Sequence, residues 1–370
     1  MLFSTRYFLV GICAAVTLTI LGVHRNILSD EDLSNKKTPL AIKHEEMAKI
    51  RKDLQTRIFK EIMNRTFYDD PLNGKCEAST HLLRTKDSME CLSTNNIFFL
   101  ETSGSSRLNA RQACAVESAA LHHPQWQVRV LFTPTESLNL SDSFMELLSL
   151  FSNVKLLKME LDFLLPGTPL WYWYKRGRWK SSPHKVVHLS DAVRLCLLWK
   201  YGGIYLDTDV VVLRSLSQLR NAVAYDSGTN IGNSFLAFDR GQSLLRVTLT
   251  DYVASYNPNG FASNGPLLLN RNFREHCKPN PNNGTDNLCH VNVLPKISVY
   301  PIDFTKWQEY FKPQTATLSA TAFKSSYIIH VWNKLSSAGK MYVGYNSWYE
   351  MAMKEHCPKV YELVARIGYA

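Results

Sequence analysis

The chain has 370 residues, of which 45% are hydrophobic, and a formal net charge of +10. A chain of this length and composition can bury a substantial core, which excludes overall disorder. Lys and Arg are spread along the sequence without one dense block, which argues against a nucleic-acid partner and favours a basic protein that faces a small anionic ligand or a membrane surface.

An apolar run near the N-terminus predicts a membrane anchor. Residues 7–23 contain no charged side chain and are near the short end of a membrane span. No clear small-x-small cleavage site follows, so an uncleaved signal anchor is favoured over a cleavable signal peptide. Residues 1–6 would then form a cytoplasmic tail.

The segment after the anchor predicts a stem on the lumenal side. Flanking charges nearly balance and do not decide the orientation, but sequons for N-glycosylation at Asn64, Asn139 and Asn283 favour a lumenal body. Residues 24–75 are mostly polar. One apolar stripe at helical spacing predicts a helix that packs on the body, forms a solvated spacer or pairs with a second copy as a homodimer. Its members are Met47, Ile50, Leu54, Ile58 and Ile62.

Cysteine spacing predicts two short disulfide loops. One of the eight cysteines lies in the anchor, so an odd number remains and at least one thiol is unpaired. Cys76 with Cys91, and Cys277 with Cys289, are close enough in sequence to pair in an oxidising lumen. Cys196 lies on the apolar face of a predicted helix and is the candidate for the free, buried thiol.

From residue 96 onward, short apolar runs alternate with helical segments, as in a doubly wound α/β sheet. There is no internal repeat or low-complexity segment, so residues 76–370 predict one continuous domain. The predicted elements are strands at 97–101, 127–132, 154–159, 222–225, 234–238 and 326–331, and helices at 109–122, 142–151 and 242–256.

The most informative stretch, residues 189–213, predicts a helix, a turn at Gly202 and Gly203, and an apolar strand that ends at Asp207 and Asp209. In open α/β sheets, ligands bind outside the carboxyl ends of the strands. Two carboxylates two positions apart on extended backbone point the same way, which suits a divalent cation held by oxygen atoms. The pattern therefore predicts a cation site that can clamp a diphosphate leaving group.

A haloacid-dehalogenase-type phosphatase is a second interpretation of this strand, with Asp207 as a phosphorylated nucleophile. That mechanism needs a downstream Lys and a further acidic pair, and no convincing acidic pair follows Asp209. The preceding glycine pair also fits a transferase better.

Eight segments along the chain match motifs of a known family. They are IFFLETS (97–103), VESAALHHP (116–124), GRW (177–179), LSDAVR (189–194), WKYGGIYLDTD (199–209), FLAF (235–238), NGPLLL (264–269) and HVWNK (330–334). With these segments the chain resembles the lactosylceramide 4-alpha-galactosyltransferases and the related alpha-1,4-N-acetylglucosaminyltransferases. The resemblance implies a GT-A-type, Rossmann-like fold, a UDP-sugar donor, a manganese ion, retention of anomeric configuration, and a type II Golgi membrane protein with its catalytic domain in the lumen.

The resemblance also assigns a metal site. Asp209 would hold the ion directly, while Asp207 would reach the ion, its bound water or the ribose. His330 would add a nitrogen ligand, and Mn²⁺ tolerates such a mixed set better than Mg²⁺ or Ca²⁺ does. The alternative for His330 is a structural histidine.

Further residues are expected around the donor. Trp332 would donate its indole N–H to a phosphate, and Lys334 would add positive charge. Asp191 and Arg194 lie one turn apart on one helix face, where they bind hydroxyls of the donor sugar or form a buried salt bridge.

Three more positions complete the expected site. Thr102 and Ser103 end the first strand, where they contact uridine or cap a loop. Asn264 belongs to a family segment near the reacting face, where globotriaosylceramide-forming members carry Gln, so the preference for sugar and acceptor stays open. The aromatic run at 171–174 forms either a wall that contacts sugar or lipid, or part of the core.

The resulting expectation is a retaining alpha-1,4-glycosyltransferase that moves galactose or an N-acetylhexosamine from a UDP-sugar to the terminal sugar of a glycosphingolipid. No side chain is identified as a nucleophile, which is compatible with front-face transfer. The alternative is a Golgi carbohydrate-binding or scaffold protein with an inactive transferase fold.

Overall fold

The computed structural model describes residues 95–280, 283–287, 289–314 and 323–368. Several predictions lie outside these residues: the cytoplasmic tail, the anchor, the stem with its dimer, the Cys76 and Cys91 loop and the Asn64 sequon. Within the described part of the chain, no helix is both long and apolar enough to cross a membrane.

Strands and helices alternate at the start of the described chain, and from residue 161 onward three α-helices are followed by five strands. The strands are β1 (Asn96–Glu101), β2 (Gln127–Phe132), β3 (Val154–Lys158), β4 (Gly203–Leu206), β5 (Val210–Val212), β6 (Ala222–Ser227), β7 (Asn230–Ile231), β8 (Phe235–Phe238), β9 (Pro279–Asn280), β10 (Asn283–Asn287), β11 (Asn292–Leu294) and β12 (Ile328–His330). The helices are α1 (Ala110–His122), α2 (Ser143–Ser149), α3 (Leu161–Leu164), α4 (Leu170–Arg176), α5 (Lys185–Tyr201), α6 (Ser243–Ser255), α7 (Pro266–His276), α8 (Asn333–Ser336), α9 (Trp348–His356) and α10 (Pro358–Ile367).

The main sheet is mixed, with the strand order β11-β6-β8-β4-β1-β2-β3. Strand β1 pairs in parallel with β2 and β4, whereas β8 runs antiparallel to both β4 and β6. The two-stranded pair of β5 and β12 is antiparallel and follows the end of β4. The predicted α/β class is therefore confirmed, and its sheet contains antiparallel as well as parallel strands.

Helices cover both faces of the sheet, and as a result every residue of β1 is buried. Ile97 and Phe99 pack into the hydrophobic cluster that contains α1 and the C-terminal helices α9 and α10. Phe98 and Leu100 point the other way, into the cluster that contains α4, α5 and α6. This alternation is what a doubly wound sheet requires of a central strand, which is apolar on both faces.

Two glycines let β4 lie against β1. Gly202 and Gly203 both have positive φ, at 66° and 107°. A Cβ atom on Gly203 would lie 2.5 Å from the backbone oxygen of Asn96, so a side chain at this position would push the strands apart. The glycine pair thus sets the position of β4, and with it the position of the aspartates that follow.

Cysteines and a buried glutamate fix the C-terminal helices and the loop after α7. The predicted disulfide between Cys277 and Cys289 is present, and Cys196 is free and buried, as expected. A second disulfide joins Cys114 of α1 to Cys357, 243 residues later. The sequence does not indicate a pairing between cysteines so far apart. Beside this disulfide, both carboxylate oxygens of Glu117 accept N–H groups at the start of α10, at 3.0 and 2.7 Å. This contact satisfies two of the unpaired amides that every helix N-terminus presents.

Candidate functional site

The aspartates and the histidine predicted to bind metal come together at the carboxyl end of β4. Asp207 and Asp209 follow the strand directly, and β12 brings His330 opposite Val210. The imidazole Nε2 of His330 lies 3.2 Å from Asp209 Oδ1 and 4.0 Å from Asp207 Oδ2. One ligand atom from each of the three residues lies within 4.8 Å of the others. Two carboxylate oxygens and one imidazole nitrogen at this spacing form a donor set that suits a divalent metal ion.

The second oxygen of each aspartate is held by the protein. Asp209 Oδ2 accepts the backbone N–H of Asn333 at 2.7 Å. Asp207 Oδ1 accepts from the Arg194 guanidinium at 3.0 Å and from the Tyr205 hydroxyl at 2.5 Å. These bonds orient the carboxylates, so that Oδ2 of Asp207 and Oδ1 of Asp209 face the histidine.

The electrostatics of the cluster favour charged groups despite their burial. Burial alone would lower the pKa of His330, but the Asp209 carboxylate outweighs it and raises that pKa. Conversely, burial opposes ionisation of Asp209, and the nearby His330 lowers the pKa of this carboxyl overall. Two carboxylates that raise the pKa of a buried histidine make this cluster a site that favours positive charge, which a metal ion can supply.

Asp191 and Arg194 form the buried side of the same cluster. Arg194 Nη2 lies 3.5 Å from Asp191 Oδ1, so the salt bridge given as one alternative does form. Arg194 also donates to Asp207 and to the Asn233 carbonyl, the latter at 2.7 Å. Its charge therefore links the two aspartates, and Asp207, outweighing the effect of burial, raises the pKa of Arg194.

The Asp191 carboxylate keeps one oxygen available. Oδ1 accepts from the Asn233 amide at 2.9 Å, while the buried Oδ2 has no hydrogen-bond partner among the described residues. Burial raises the pKa of Asp191 to about 6, against the opposing effect of Arg194. A Cβ on Gly265 would lie 2.5 Å from Oδ2, so glycine is what allows this loop to approach the carboxylate. A ligand hydroxyl that enters the cavity can donate a hydrogen bond to this unpaired, buried oxygen.

A cavity of about 660 Å³ opens over these groups, a size typical of sites for small ligands. It brings nearly all of the predicted site residues to one wall: Thr102, Ser103, Asp191, Arg194, Asp207, Asp209, His330, Trp332 and Lys334. It also includes residues that the sequence analysis did not identify, among them Glu101, Gln112, Tyr205, Asn233, Phe261 and Asn333. Tyr205 lies inside a recognised motif, but nothing in the sequence near Asn233 indicates its contact with Asp191.

The two residues at the end of β1 differ in what they offer. The Thr102 hydroxyl donates to the Val186 carbonyl at 2.9 Å, so part of its hydrogen-bonding capacity is used within the protein. Ser103 is exposed, and its backbone N–H donates to Glu101 Oε1 at 2.7 Å. Both line the cavity, and their predicted contact with uridine stays a prediction.

For Trp332, the indole N–H donates to the Ile302 carbonyl at 2.9 Å. Its predicted contact with a phosphate stays a prediction. The ring stacks on Tyr300 and meets His330 edge to face, with centroids 5.3 and 4.4 Å apart, so Trp332 supports the histidine. Lys334 is exposed at the cavity mouth, with its ammonium 5.5 Å from the centre of the Phe261 ring.

Asn264 is the one predicted site residue that is not part of the cavity wall. It is only 2% exposed, and its amide bonds to the backbone N–H and carbonyl of Asn257 at 2.9 and 2.7 Å. Its nitrogen also lies 3.1 Å from His188 Nε2. These bonds fix the turn that presents Gly265 to Asp191, while a direct catalytic role for Asn264 stays a prediction.

Comparisons with known proteins agree with this arrangement. Residues 109–226 match a glycosyltransferase sugar-binding region containing the DXD motif, and residues 237–364 match an alpha 1,4-glycosyltransferase conserved region. The lactosylceramide 4-alpha-galactosyltransferase of Mus musculus is 37% identical over 269 residues, which cover 71% of this chain and 74% of that protein. The human alpha-1,4-N-acetylglucosaminyltransferase is 31% identical over 307 residues, covering 80% of this chain and 88% of that protein.

Among solved structures, the PaToxG glycosyltransferase aligns with a TM-score of 0.40 at 16% identity, over 61% of this chain and 79% of that one. A score this low supports no conclusion about fold or function. The sequence relatives and the matched regions do show the family, and the matched ranges of this chain contain Asp207, Asp209 and His330. The chain therefore belongs to the alpha-1,4-glycosyltransferase family and is a hexosyltransferase.

Proposed function

We propose that the chain is a retaining alpha-1,4-glycosyltransferase of the GT-A type, which transfers galactose or an N-acetylhexosamine from a UDP-sugar to the terminal sugar of a glycosphingolipid. The observation that carries this proposal is the cluster of Asp207, Asp209 and His330 beside a cavity of about 660 Å³. The names of the relatives, a lactosylceramide galactosyltransferase and an N-acetylglucosaminyltransferase, support the acceptor class and the range of sugars.

The donor set of the cluster fits manganese. Two carboxylates and an imidazole combine hard and borderline ligands, a mixture that Mn²⁺ accepts more readily than Mg²⁺ or Ca²⁺. When bound, the ion would neutralise the diphosphate leaving group as the bond to the sugar breaks. Asp209 and His330 would be direct ligands, and Asp207 would bind the ion, its water or the ribose.

The remaining residues orient the donor. Asp191 Oδ2, buried and unpaired among the described residues, would accept a hydrogen bond from a hydroxyl of the donor sugar. Arg194 would hold Asp191 and Asp207 in one arrangement through its bonds to both. Thr102 and Ser103 would border the uridine, and Lys334 would add positive charge at the open end of the cavity. No described residue is assigned as a nucleophile, and transfer on the front face of the sugar needs none.

The proposed cellular setting rests mainly on the sequence. We infer a single-pass type II protein of the Golgi membrane, with residues 7–23 as the anchor and the catalytic domain in the lumen. The Cys277 and Cys289 disulfide supports an oxidising compartment, and Asn139 is exposed, as a glycosylated asparagine has to be. A homodimer formed through the stem belongs to the same proposal.

The function is tested by measuring UDP release from the purified full chain. UDP-galactose, UDP-N-acetylgalactosamine and UDP-N-acetylglucosamine are offered in parallel, with and without Mn²⁺, against lactosylceramide and a mixed glycolipid extract. Manganese-dependent release with one donor is the expected result and identifies the sugar. No release from folded protein that still binds UDP would contradict the proposal and favour a carbohydrate-binding or scaffold role.

A matched pair of variants tests the metal assignment in the same assay. Asp209→Asn removes a charge from the proposed ligand set and is expected to abolish metal-dependent turnover. Asp239→Asn makes the same change at the other end of β4, where Asp239 binds Arg220 and Asn221, and should leave turnover unchanged. Full turnover by the Asp209 variant would contradict the assignment.

A further inference from the structure

The stretch from the end of α3 to the first turns of α5 carries an excess of positive charge. Residues 163–190 contain five cations and no Asp or Glu. All five are exposed, although the sequence as a whole shows no dense basic block. Lys175 pairs with Asp162 at 2.6 Å, and no ion pair of the other four is found in the described part of the chain. We call these five residues the basic face: Lys175, Arg176, Arg178, Lys180 and Lys185.

Aromatic side chains give the basic face a rigid base. Trp173 is buried, stacks on Trp179 with centroids 5.5 Å apart and meets Tyr252 of α6 edge to face at 5.3 Å. The Lys175 ammonium lies 4.3 Å from the centre of the Trp171 ring. The aromatic run is therefore partly core, as one of the two interpretations held, and the Trp171 ring contacts the Lys175 ammonium.

Apolar side chains are exposed among the same cations. Phe163 is 55% exposed and Tyr172 is 46% exposed. Basic residues combined with exposed aromatic rings are typical of protein surfaces that lie in the interface of a membrane, where the rings reach the headgroup layer. A soluble polyanion would satisfy the cations but would leave Phe163 and Tyr172 in water.

The basic face adjoins residues that line the cavity. Val186, next to Lys185, is 38% exposed and lines the cavity wall, where its carbonyl accepts the Thr102 hydroxyl. Phe261 is 42% exposed, lines the same wall and contacts His184 with ring centroids 5.5 Å apart. A flat partner that covers the basic face would therefore also lie against the opening of the active site.

We propose that the basic face, together with Phe163, Tyr172 and Phe261, docks on a bilayer that contains anionic lipids. Docking holds the cavity mouth at the headgroup layer, where the sugar of a membrane-embedded acceptor enters it. The anchor predicted at residues 7–23 would keep the chain near the membrane, whereas the basic face sets the orientation of the catalytic domain. The proposal rests on the proposed function, because it assumes an acceptor that is itself a lipid.

The first test is kinetic and uses the full chain reconstituted in vesicles of phosphatidylcholine, with or without phosphatidylserine. The variant Arg176→Glu, Arg178→Glu, Lys180→Glu reverses three charges of the basic face. The matched control, Lys155→Glu, Lys278→Glu, Arg366→Glu, reverses three exposed charges elsewhere. With the glycolipid in vesicles that contain phosphatidylserine, kcat/KM of the basic-face variant should fall about tenfold or more, and high salt should reduce the difference. The control variant should behave as the unmodified chain.

A water-soluble oligosaccharide with the acceptor's terminal sugars separates docking from chemistry. The basic-face variant should turn it over at the unmodified rate, because no residue of the basic face belongs to the cluster of Asp207, Asp209 and His330. An equal loss on the soluble and the vesicle-borne acceptor would overturn the proposal, since the three residues would then act in the catalytic site. Equal rates of the variant and the unmodified chain on phosphatidylserine vesicles would overturn it as well.

The second test does not depend on activity. An environment-sensitive fluorophore is attached at position 172 through Tyr172→Cys in the reconstituted full chain. Its emission should shift to the blue when phosphatidylserine is added to the vesicles, and the shift should be lost in the basic-face variant. An emission that does not respond to phosphatidylserine would refute docking. If neither acceptor is turned over but the shift is present, the proposed function fails while docking stands.

Discussion

Arg111 of α1 offers a sharp test of how the metal side of the cavity is supported. Its side chain is buried, with the guanidinium 4.7 Å from the centre of the Phe311 ring. It donates to the Ser336 carbonyl at 2.9 Å, to the Ser336 hydroxyl at 3.2 Å and to the Gly339 carbonyl. Ser336 ends α8 and Gly339 follows it, in the segment whose Asn333 N–H holds Asp209.

Replacement of Arg111 by Met keeps the apolar part of the side chain and removes these donors. Two carbonyls are then left without the guanidinium, at about 1–3 kcal/mol for each buried unsatisfied group. We expect the free energy of unfolding to fall by about 3 kcal/mol, measured by urea denaturation of the full chain. In Arg111→Lys the charge remains but the two-pronged geometry is lost, so the loss should be intermediate.

The same variants distinguish an effect on the segment that holds Asp209 from a general loss of stability. Arg111→Met should weaken Mn²⁺ binding about tenfold, since partners that orient metal ligands typically contribute a factor of 10–100. Arg129→Met is the control, because it removes another partly buried arginine. Arg129 lies on β2 and donates to Asn96 Oδ1 of β1 at 3.0 Å, so its loss should leave the Mn²⁺ affinity unchanged. Unaltered unfolding and unaltered Mn²⁺ binding in Arg111→Met would refute the reasoning.

Three further predictions concern the framework. Gly203→Ala should lower the free energy of unfolding, measured by urea titration, by about 2–4 kcal/mol, because the new Cβ would lie 2.5 Å from a backbone oxygen at a φ of 107°. Gly344 also has a positive φ but faces open space, so Gly344→Ala should lower it by only about 1 kcal/mol. Replacement of Cys114 and Cys357 by Ser should cost about 2–5 kcal/mol, visible as a lower thermal midpoint, and an unchanged midpoint would show that the link is dispensable. Asn264→Ala should raise the KM for the UDP-sugar more than it lowers kcat, because its bonds to Asn257 hold the turn at the donor side; an effect on kcat alone would favour a direct catalytic role.

Much of the sheet could be predicted from local pattern. The strand at 127–132 and the end of the helix at His122 agree with the structure, and Asn109 caps α1 with a reciprocal bond to Gln112. The three metal-side residues were also predictable, because the apolar strand before Asp207 and the strand before His330 indicate where their side chains emerge. Such features depend on residues near one another in sequence.

Contacts between distant segments could not be predicted in this way. Nothing near Cys114 indicates its partner 243 residues later. Trp332 shows the same limit: its motif placed it correctly at the cavity, but the carbonyl that its indole N–H meets belongs to Ile302, in a loop of no recognisable pattern. Tertiary context decides such partners.

The central claim is that Asp207, Asp209 and His330 form a cation site that the donor's diphosphate shares. The most direct measurement is titration of the full chain with Mn²⁺ in the presence of UDP, followed by the electron paramagnetic resonance signal of free Mn²⁺. The account predicts that the unmodified chain and Asp239→Asn bind Mn²⁺ with equal affinity and so reduce this signal equally. In Asp209→Asn the affinity for Mn²⁺ should fall at least about tenfold. Equal Mn²⁺ affinity in Asp209→Asn and the unmodified chain would contradict the account.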